Sequence, residues 1–297
     1  MLYQQIKTNK RKSRTVICFY FLFFLLVGSC TGKFWFDSPI LGVFTAAVVG
    51  GGYIISTIVN ASKIVLKMNR AGTIKQNEYP EVYNILSDLC LVARLPMPKL
   101  YVIQDESPNA FATGITPDKA VIVVTSGLLI TMTREELEGV LAHELSHIKN
   151  YDIQLQTIVL ALNALIIMAA QTGRNSYLWK SSDSNDSSST LGQILTFGSL
   201  LIILVSPVIA SAIQCALSRK REYLADASAV ELTRNPQGLV QALEKISLAK
   251  PMKKVNKFCI FLYFSDPINK SKHRKTRQSI FDSHPPLKLR IERLRDL

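Results

Sequence analysis

Four long apolar runs limit what this chain can fold into more than any other feature. They lie at Val16 to about Cys30, Pro39 to Val59, Ile153 to Ala170 and Leu191 to Leu217. A spanning helix needs about 20 mostly apolar residues, so a bilayer is the first surrounding to consider. With 48% hydrophobic residues in 297 and a mean hydropathy of +0.18, the chain is apolar for a soluble protein. The first run is short unless Thr31 to Phe36 extends it. Its basic lead, Lys7, Lys10, Arg11, Lys12 and Arg14, also suits a signal peptide, and Val27-Gly28-Ser29-Cys30 resembles a loose lipoprotein cleavage site. The short link to the second run makes a hairpin of two spans the more economical reading. The third run carries Gln154, Gln156 and Asn163, which would also suit a buried helix of a soluble domain. The fourth contains Pro207, which a membrane helix tolerates when neighbours satisfy the freed carbonyl.

The net charge of +13 raises nucleic acid as a partner, but the lysines and arginines gather beside the apolar runs and not along one amphipathic helix with interleaved aromatics. A lipid bilayer explains them better, and no nucleic-acid partner is expected. Lys63, Lys67 and Arg70 follow the second run, and Arg219-Lys220-Arg221 follow the fourth. The positive-inside rule then puts the N-terminus, Ala61 to Tyr151 and the tail from Ser218 in the cytoplasm, with Thr31 to Ser38 and the serine-rich Gly173 to Thr190 opposite. The expected organisation is 1–60, a basic segment and two spans; 61–152, the first part of a cytoplasmic domain; 153–217, two further spans around the loop 173–190; and 218–297, the second part of that domain. Five scattered cysteines without a close pair offer neither a disulfide framework nor a cysteine metal site, and suit a reducing compartment.

Between the membrane runs the pattern is mainly α with a small β-sheet. Val82, Ile85, Leu86 and Leu89 recur at helical spacing from Glu78 to Ala93, where Leu95-Pro96-Met97-Pro98 stops the helix. Leu100 to Ile103 and Ala120 to Thr125 are rich in β-branched residues and bounded by turn signals. Thr133 with Glu136 forms a capping box, and Glu135, Glu136 and Glu138 favour the positive end of a helix starting at Arg134. Leu137, Leu141, Leu145 and Ile148 make its core face, leaving Gly139, His143 and His147 on a second face.

That helix carries His143-Glu144-Leu145-Ser146-His147, in which one turn separates two imidazoles so that both can reach one ion. With four histidines in the chain, chance placement gives such a motif about twice in a thousand chains. A catalytic zinc keeps three protein ligands and an open position, so a third ligand must come from elsewhere. No histidine closely follows His147, which leaves a carboxylate on a second helix. Glu222 and Asp226 lie one turn apart just after the fourth apolar run, so that Glu222 can ligate while Asp226 accepts a hydrogen bond from a ligating imidazole. On spacing alone the same pair also fits a solvated helix face.

The sequence resembles the HtpX-type membrane zinc metalloproteases, distant relatives of the CAAX prenyl endopeptidases. The resemblance rests on the two N-terminal spans, Asn109-Ala110-Phe111-Ala112-Thr113-Gly114, Ser126-Gly127-Leu128-Leu129, the His143 to His147 motif, Arg221-Glu222-Tyr223 through Asp226, and His284-Pro285-Pro286. It implies a gluzincin-like zinc protease domain combined with about four transmembrane helices, one zinc ion, and Glu222 as third ligand. It also implies quality control of misfolded or damaged membrane proteins at the bacterial inner membrane, with the catalytic domain facing the cytoplasm. The serine-rich loop and the basic stretch from Lys270 to Arg277 depart from the family pattern.

The chemistry expected is hydrolysis of a peptide bond, with Glu144 as general base because it points too far round the helix to ligate beside the two histidines. A tetrahedral intermediate needs donors beyond the metal, and His284 and Arg290 are candidates, although His284 also reads as a loop residue and Arg290 as part of an amphipathic helix from Leu287 to Leu297. An extended substrate could add as a strand to an open edge at Ala120 to Thr125 or Asn109 to Thr113. Asn109 could contact its backbone, or serve as a turn residue after Pro108. Two other activities fit the same residues. One is a zinc-binding inactive scaffold or chaperone, disfavoured by an intact Glu144; the other is a processing protease for lipidated peptides, for which four spans are few.

Overall fold

The computed structural model describes residues 2–163, 219–268 and 284–297. The loop 173–190, the fourth apolar run and the basic stretch 270–277 lie outside the described residues. The first two apolar runs form helices α1 (Leu2–Phe36) and α2 (Pro39–Met68), each long and apolar enough to cross a membrane. At 1.5 Å per residue, the 30 residues of α2 reach about 45 Å, well beyond a hydrocarbon core of about 30 Å, so both helices extend into the rest of the protein. Leu22, Leu26, Phe44, Val49 and Val59 stand exposed, an apolar surface suited to lipid.

The hairpin closes on glycine. A Cβ at Gly42 would lie 2.0 Å from the Gly28 carbonyl oxygen, and one at Gly28 would lie 2.2 Å from the Ala46 Cβ. Only backbone-to-backbone approach fits, as expected where small residues spaced four apart bring membrane helices together.

Beyond α2 come β1 (Gly72–Thr73), α3 (Pro80–Ala93), β2 (Lys99–Ile103), β3 (Ala110–Thr113), β4 (Val121–Thr125), α4 (Ser126–Thr131) and α5 (Arg134–Lys149). A further helix, α6, covers 152–163, followed by α7 (Arg219–Thr233), α8 (Pro236–Leu248) and α9 (Leu287–Arg295). The expected mainly helical fold with a small sheet is observed. The sheet order is β1-β2-β4-β3, with β2 and β4 parallel and the other pairs antiparallel.

β4 is therefore interior, which corrects the expectation of an open edge at Ala120 to Thr125. Both its faces are buried. Ile122 and Val124 meet α3, α5 and α8, while Val121 and Val123 meet the end of α2 and the 252–263 segment, so the strand reads as a continuous apolar run. Helix α6, the start of the third run, is buried along almost its whole described length between α1, α2 and the sheet, and Thr157 ties it to Thr113 at 2.9 Å.

Candidate active site

Helix α5 begins with the full capping box, Thr133 and Glu136 each accepting from the other's backbone. It is buried on nearly all sides because α3, α7, α8 and β3 pack around it. A Cβ on Gly139 would lie 2.9 Å from the Leu239 nitrogen, so Gly139 lets α8 press against α5 and leaves the His143 and His147 stripe to face α7.

There α7 presents Glu222. His143 Nε2 lies 3.1 Å from His147 Nε2 and 3.8 Å from Glu222 Oε2, and His147 Nε2 lies 3.6 Å from Glu222 Oε1. One ligand-type atom from each of the three buried residues falls within 4.8 Å of the others. The far nitrogen of each ring meets a carboxylate: His143 Nδ1 is 2.9 Å from Asp226 Oδ1, and His147 Nδ1 is 3.0 Å from Asp152 Oδ2. A ring that donates from Nδ1 carries its lone pair on Nε2, so both lone pairs converge beside a carboxylate.

Charge makes the same demand. Glu144, Asp152, Glu222 and Asp226 are all buried here, against the buried guanidiniums of Arg221 and Arg290. Four carboxylates against two guanidiniums leave an excess of negative charge in a region where unbalanced charge is costly, an excess that a proton on His147 or a bound cation would offset. Burial alone would lower His147, yet its hydrogen bond to Asp152 and the nearby Glu222 push it up to about 9. Burial would raise Glu222, but His284, His147 and His143 hold it well below the usual carboxylate range. The donor set, its geometry and its charge suit a divalent metal ion.

Glu144 points into the same cavity. Burial, reinforced by Glu222, pushes its carboxyl up to about 7 against the opposing pull of His147. The cavity has room for roughly one water, at about 10 Å³. Ala112, Gln156, Phe261, Leu262, Tyr263, Phe264 and His284 complete its walls. His284 Nδ1 is 3.2 Å from Glu222 Oε2, and its buried Nε2 has no hydrogen-bond partner among the described residues.

Two other expected residues are placed differently. Arg290 is fully buried outside the cavity wall, where it pairs with Asp226, donates to the Phe264 carbonyl at 2.9 Å and lies over the Phe264 ring. Its planar fork is spent on Asp226 and Phe264, while NH2 also lies 3.4 Å from His143 Nδ1 and NH1 lies 4.0 Å from Glu222 Oε2, so it borders the site from behind the cavity wall. Asn109 is likewise fully buried, its amide donating to Ser265 O at 3.0 Å and accepting from Ser265 N at 3.3 Å. A substrate strand would have to displace those bonds to touch it.

The same bonds cover the edge of β3. Phe264 N donates to Ala110 O at 2.7 Å, Lys253 N donates to Asp105, and the Tyr263 hydroxyl donates to Asn69 at 3.1 Å. Residues 252–267 thus lie along the edge strand, and Phe261 to Phe264 form part of the wall of the cavity that Glu144 lines. Asp152 was not singled out in the sequence, and Gln156 was named only as a polar residue of the third run. The signal for Asp152 was an acidic residue five positions after His147, at the head of an apolar run.

A carboxylate-braced histidine pair facing a glutamate across two helices, on a chain with a membrane-type hairpin, defines a membrane metalloprotease. Residues 76–297 match the sequence model described as peptidase family M48, and the chain belongs to that family. Curated relatives named protease HtpX homolog align over the full length of both chains. The protein from Limosilactobacillus reuteri (strain DSM 20016) is 47% identical, that from Listeria monocytogenes serovar 1/2a 45%, and that from Streptococcus gordonii (strain Challis) 42%. The fold also aligns with the crystal structure of S. mikatae Ste24p at 20% identity and a TM-score of 0.47, over 98% of this chain and 67% of that one. The HtpX-type resemblance read in the sequence is borne out by the curated relatives.

Proposed function

We propose that this protein is a zinc-dependent endopeptidase that cleaves misfolded or damaged membrane proteins at the cytoplasmic face of the bacterial inner membrane. In this reading the catalytic domain joins 61–152 to 218–297, and the third and fourth apolar runs complete four spans. The observation that carries it is the convergence of His143, His147 and Glu222 with both outer ring nitrogens held by carboxylates and Glu144 alongside. The two Nε2 atoms lie 3.1 Å apart, close enough for both to hold one ion.

His143, His147 and Glu222 would hold the zinc, which would supply Lewis acidity, polarising a scissile carbonyl and making a water acidic near neutral pH. Glu144 takes the proton from the attacking water and delivers it to the leaving amine, a role matched by a carboxyl pushed up to about 7. His284 faces the Glu222 carboxylate with Nδ1 and has Nε2 uncommitted at the cavity wall; with both ring nitrogens carrying protons, Nε2 donates to the oxygen that gains negative charge. Arg290 acts indirectly, holding Asp226 against His143. Once residues 252–267 withdraw, an extended substrate adds to the freed edge of β3, bound through main-chain bonds with little sequence selectivity.

The test is casein cleavage by detergent-purified protein stripped with chelator and then given zinc. Proteolysis restored in the wild type and absent in Glu144→Gln, with zinc bound to both, supports the assignment. Zinc binding without cleavage by either would favour the scaffold reading.

A further inference from the structure

The second imidazole of the metal group is oriented from outside the catalytic helices. Between α5 and α6 the chain turns through Asn150, Tyr151 and Asp152, with Tyr151 in the left-handed region at φ 58°. Asp152 is fully buried and its two oxygens have different partners: Oδ2 faces His147 Nδ1 at 3.0 Å, while Oδ1 accepts from Asn9 Nδ2 at 2.6 Å. The same Asn9 amide also donates to Asn150 O at 3.0 Å. One residue along, the Lys10 ammonium sits 3.9 Å over the Tyr151 ring. Three consecutive corner residues are therefore gripped by two consecutive residues at the basic end of α1. Arg221, 3.7 Å from Asp152 Oδ1, adds charge balance but no hydrogen bond.

Docking of α1 does not depend on this contact. Val16 and Tyr20 pack against Leu155, Ile158, Val159 and Leu162, and Tyr20 bonds to Asn163. Asn9 is 2% exposed, and both its N–H groups meet the corner that carries Asp152. Such outer partners set ring orientation and ligand basicity in metal sites.

We propose that Asn9 is a positioning residue for the metal site: by holding Asp152 it fixes the His147 ring as a ligand, so the chain's first helix sets the affinity of a site whose ligands begin at residue 143. This rests on reading His143, His147 and Glu222 as the ligand set.

The experiment uses full-length protein in detergent, stripped of metal. Zinc affinity is measured by competition with a chromophoric chelator, and the ligand field by the visible spectrum of the cobalt-loaded form. Asn9→Ala should weaken zinc about three- to tenfold and shift the cobalt bands, and Asn9→Asp, which sets a carboxylate against Asp152, should weaken it further. Asn9→Gln, which keeps both donors, should lose less than threefold; if Asn9→Ala and Asn9→Asp do not fold, Asn9→Ser, whose side chain is too short to reach Asp152, takes their place with the loss expected of Asn9→Ala. In an Asp152→Asn background, Asn9→Ala should change affinity less than about twofold, because the path is already cut. Wild-type affinity and spectrum in Asn9→Ala and Asn9→Asp, or an equal loss in the Asp152→Asn background, would overturn the proposal. A wild type without a specific zinc site, or a His147→Ala variant that binds zinc as tightly as the wild type, would overturn the ligand reading instead.

Discussion

Arg290 and Asp226 form a two-point ion pair, Nε to Oδ2 at 2.9 Å and NH2 to Oδ1 at 2.6 Å, and the same carboxylate faces His143 Nδ1. Residues 64 positions apart thereby hold α9 to α7 in a place without solvent. Arg290→Leu should destabilise the fold by about 3–5 kcal/mol, because it leaves a buried carboxylate without its counter-charge. Adding Asp226→Leu should recover much of that loss. Denaturant titration of metal-stripped protein measures both, and losses that simply add would argue against the pair.

Asp226→Asn keeps the shape of the carboxylate but removes the charge that Nδ1 of His143 faces. Zinc affinity should fall about 10- to 100-fold, with a much smaller change in the stability of the stripped protein. A chelator competition series decides it. Unchanged affinity would mean that the ring orients itself without Asp226.

Glu144 is the group to follow with pH. Burial raises its carboxyl to about 7, and only the ionised form accepts a proton. Below that value the protonated fraction grows, so kcat/KM should fall about tenfold per pH unit on the acid side and level off above neutrality. A positive ion in the site favours the carboxylate and can move the midpoint only downward. An acid limb centred well above pH 7 would show that another group controls the rate.

In the proposed mechanism residues 252–267 leave the β3 edge before a chain is cut. Tyr263→Phe removes only the hydroxyl that bonds to Asn69. A net hydrogen bond of about 1 kcal/mol corresponds to roughly fivefold in the closed-to-open ratio, so cleavage of casein should rise by up to that factor. A drop in rate would instead make the segment part of the substrate platform.

The sequence made α5 legible to the residue, because a capping box and an i, i+4 histidine pair are local patterns that survive without tertiary context. Glu222 was reachable by spacing and resemblance together. What stayed hidden were partnerships between distant positions. Asn109 read as a contact for the substrate backbone or a turn residue, and its bonds to Ser265 were not visible; Arg290 read as a donor to the intermediate or as part of an amphipathic helix, and its pairing with Asp226 was not visible. β4 read as a strand, but whether a strand is interior depends on which neighbours flank it, and that is set by connections among β2, β3 and β4. The small-residue contact of Gly28 with Gly42 and Ala46 was written in plain spacing and passed over.

The metal group is divided along the chain: its two imidazoles stand at 143 and 147 and its carboxylate at 222, with both later apolar runs in between. A ribosome adding about 5–20 residues per second takes several seconds to cover that interval. Until then the nascent chain would hold two of the three proposed ligands and lack the third. On that ligand set a protease born inside a crowded membrane would be unable to cut its neighbours during its own synthesis, and would become competent only after its last hydrophobic segments have emerged.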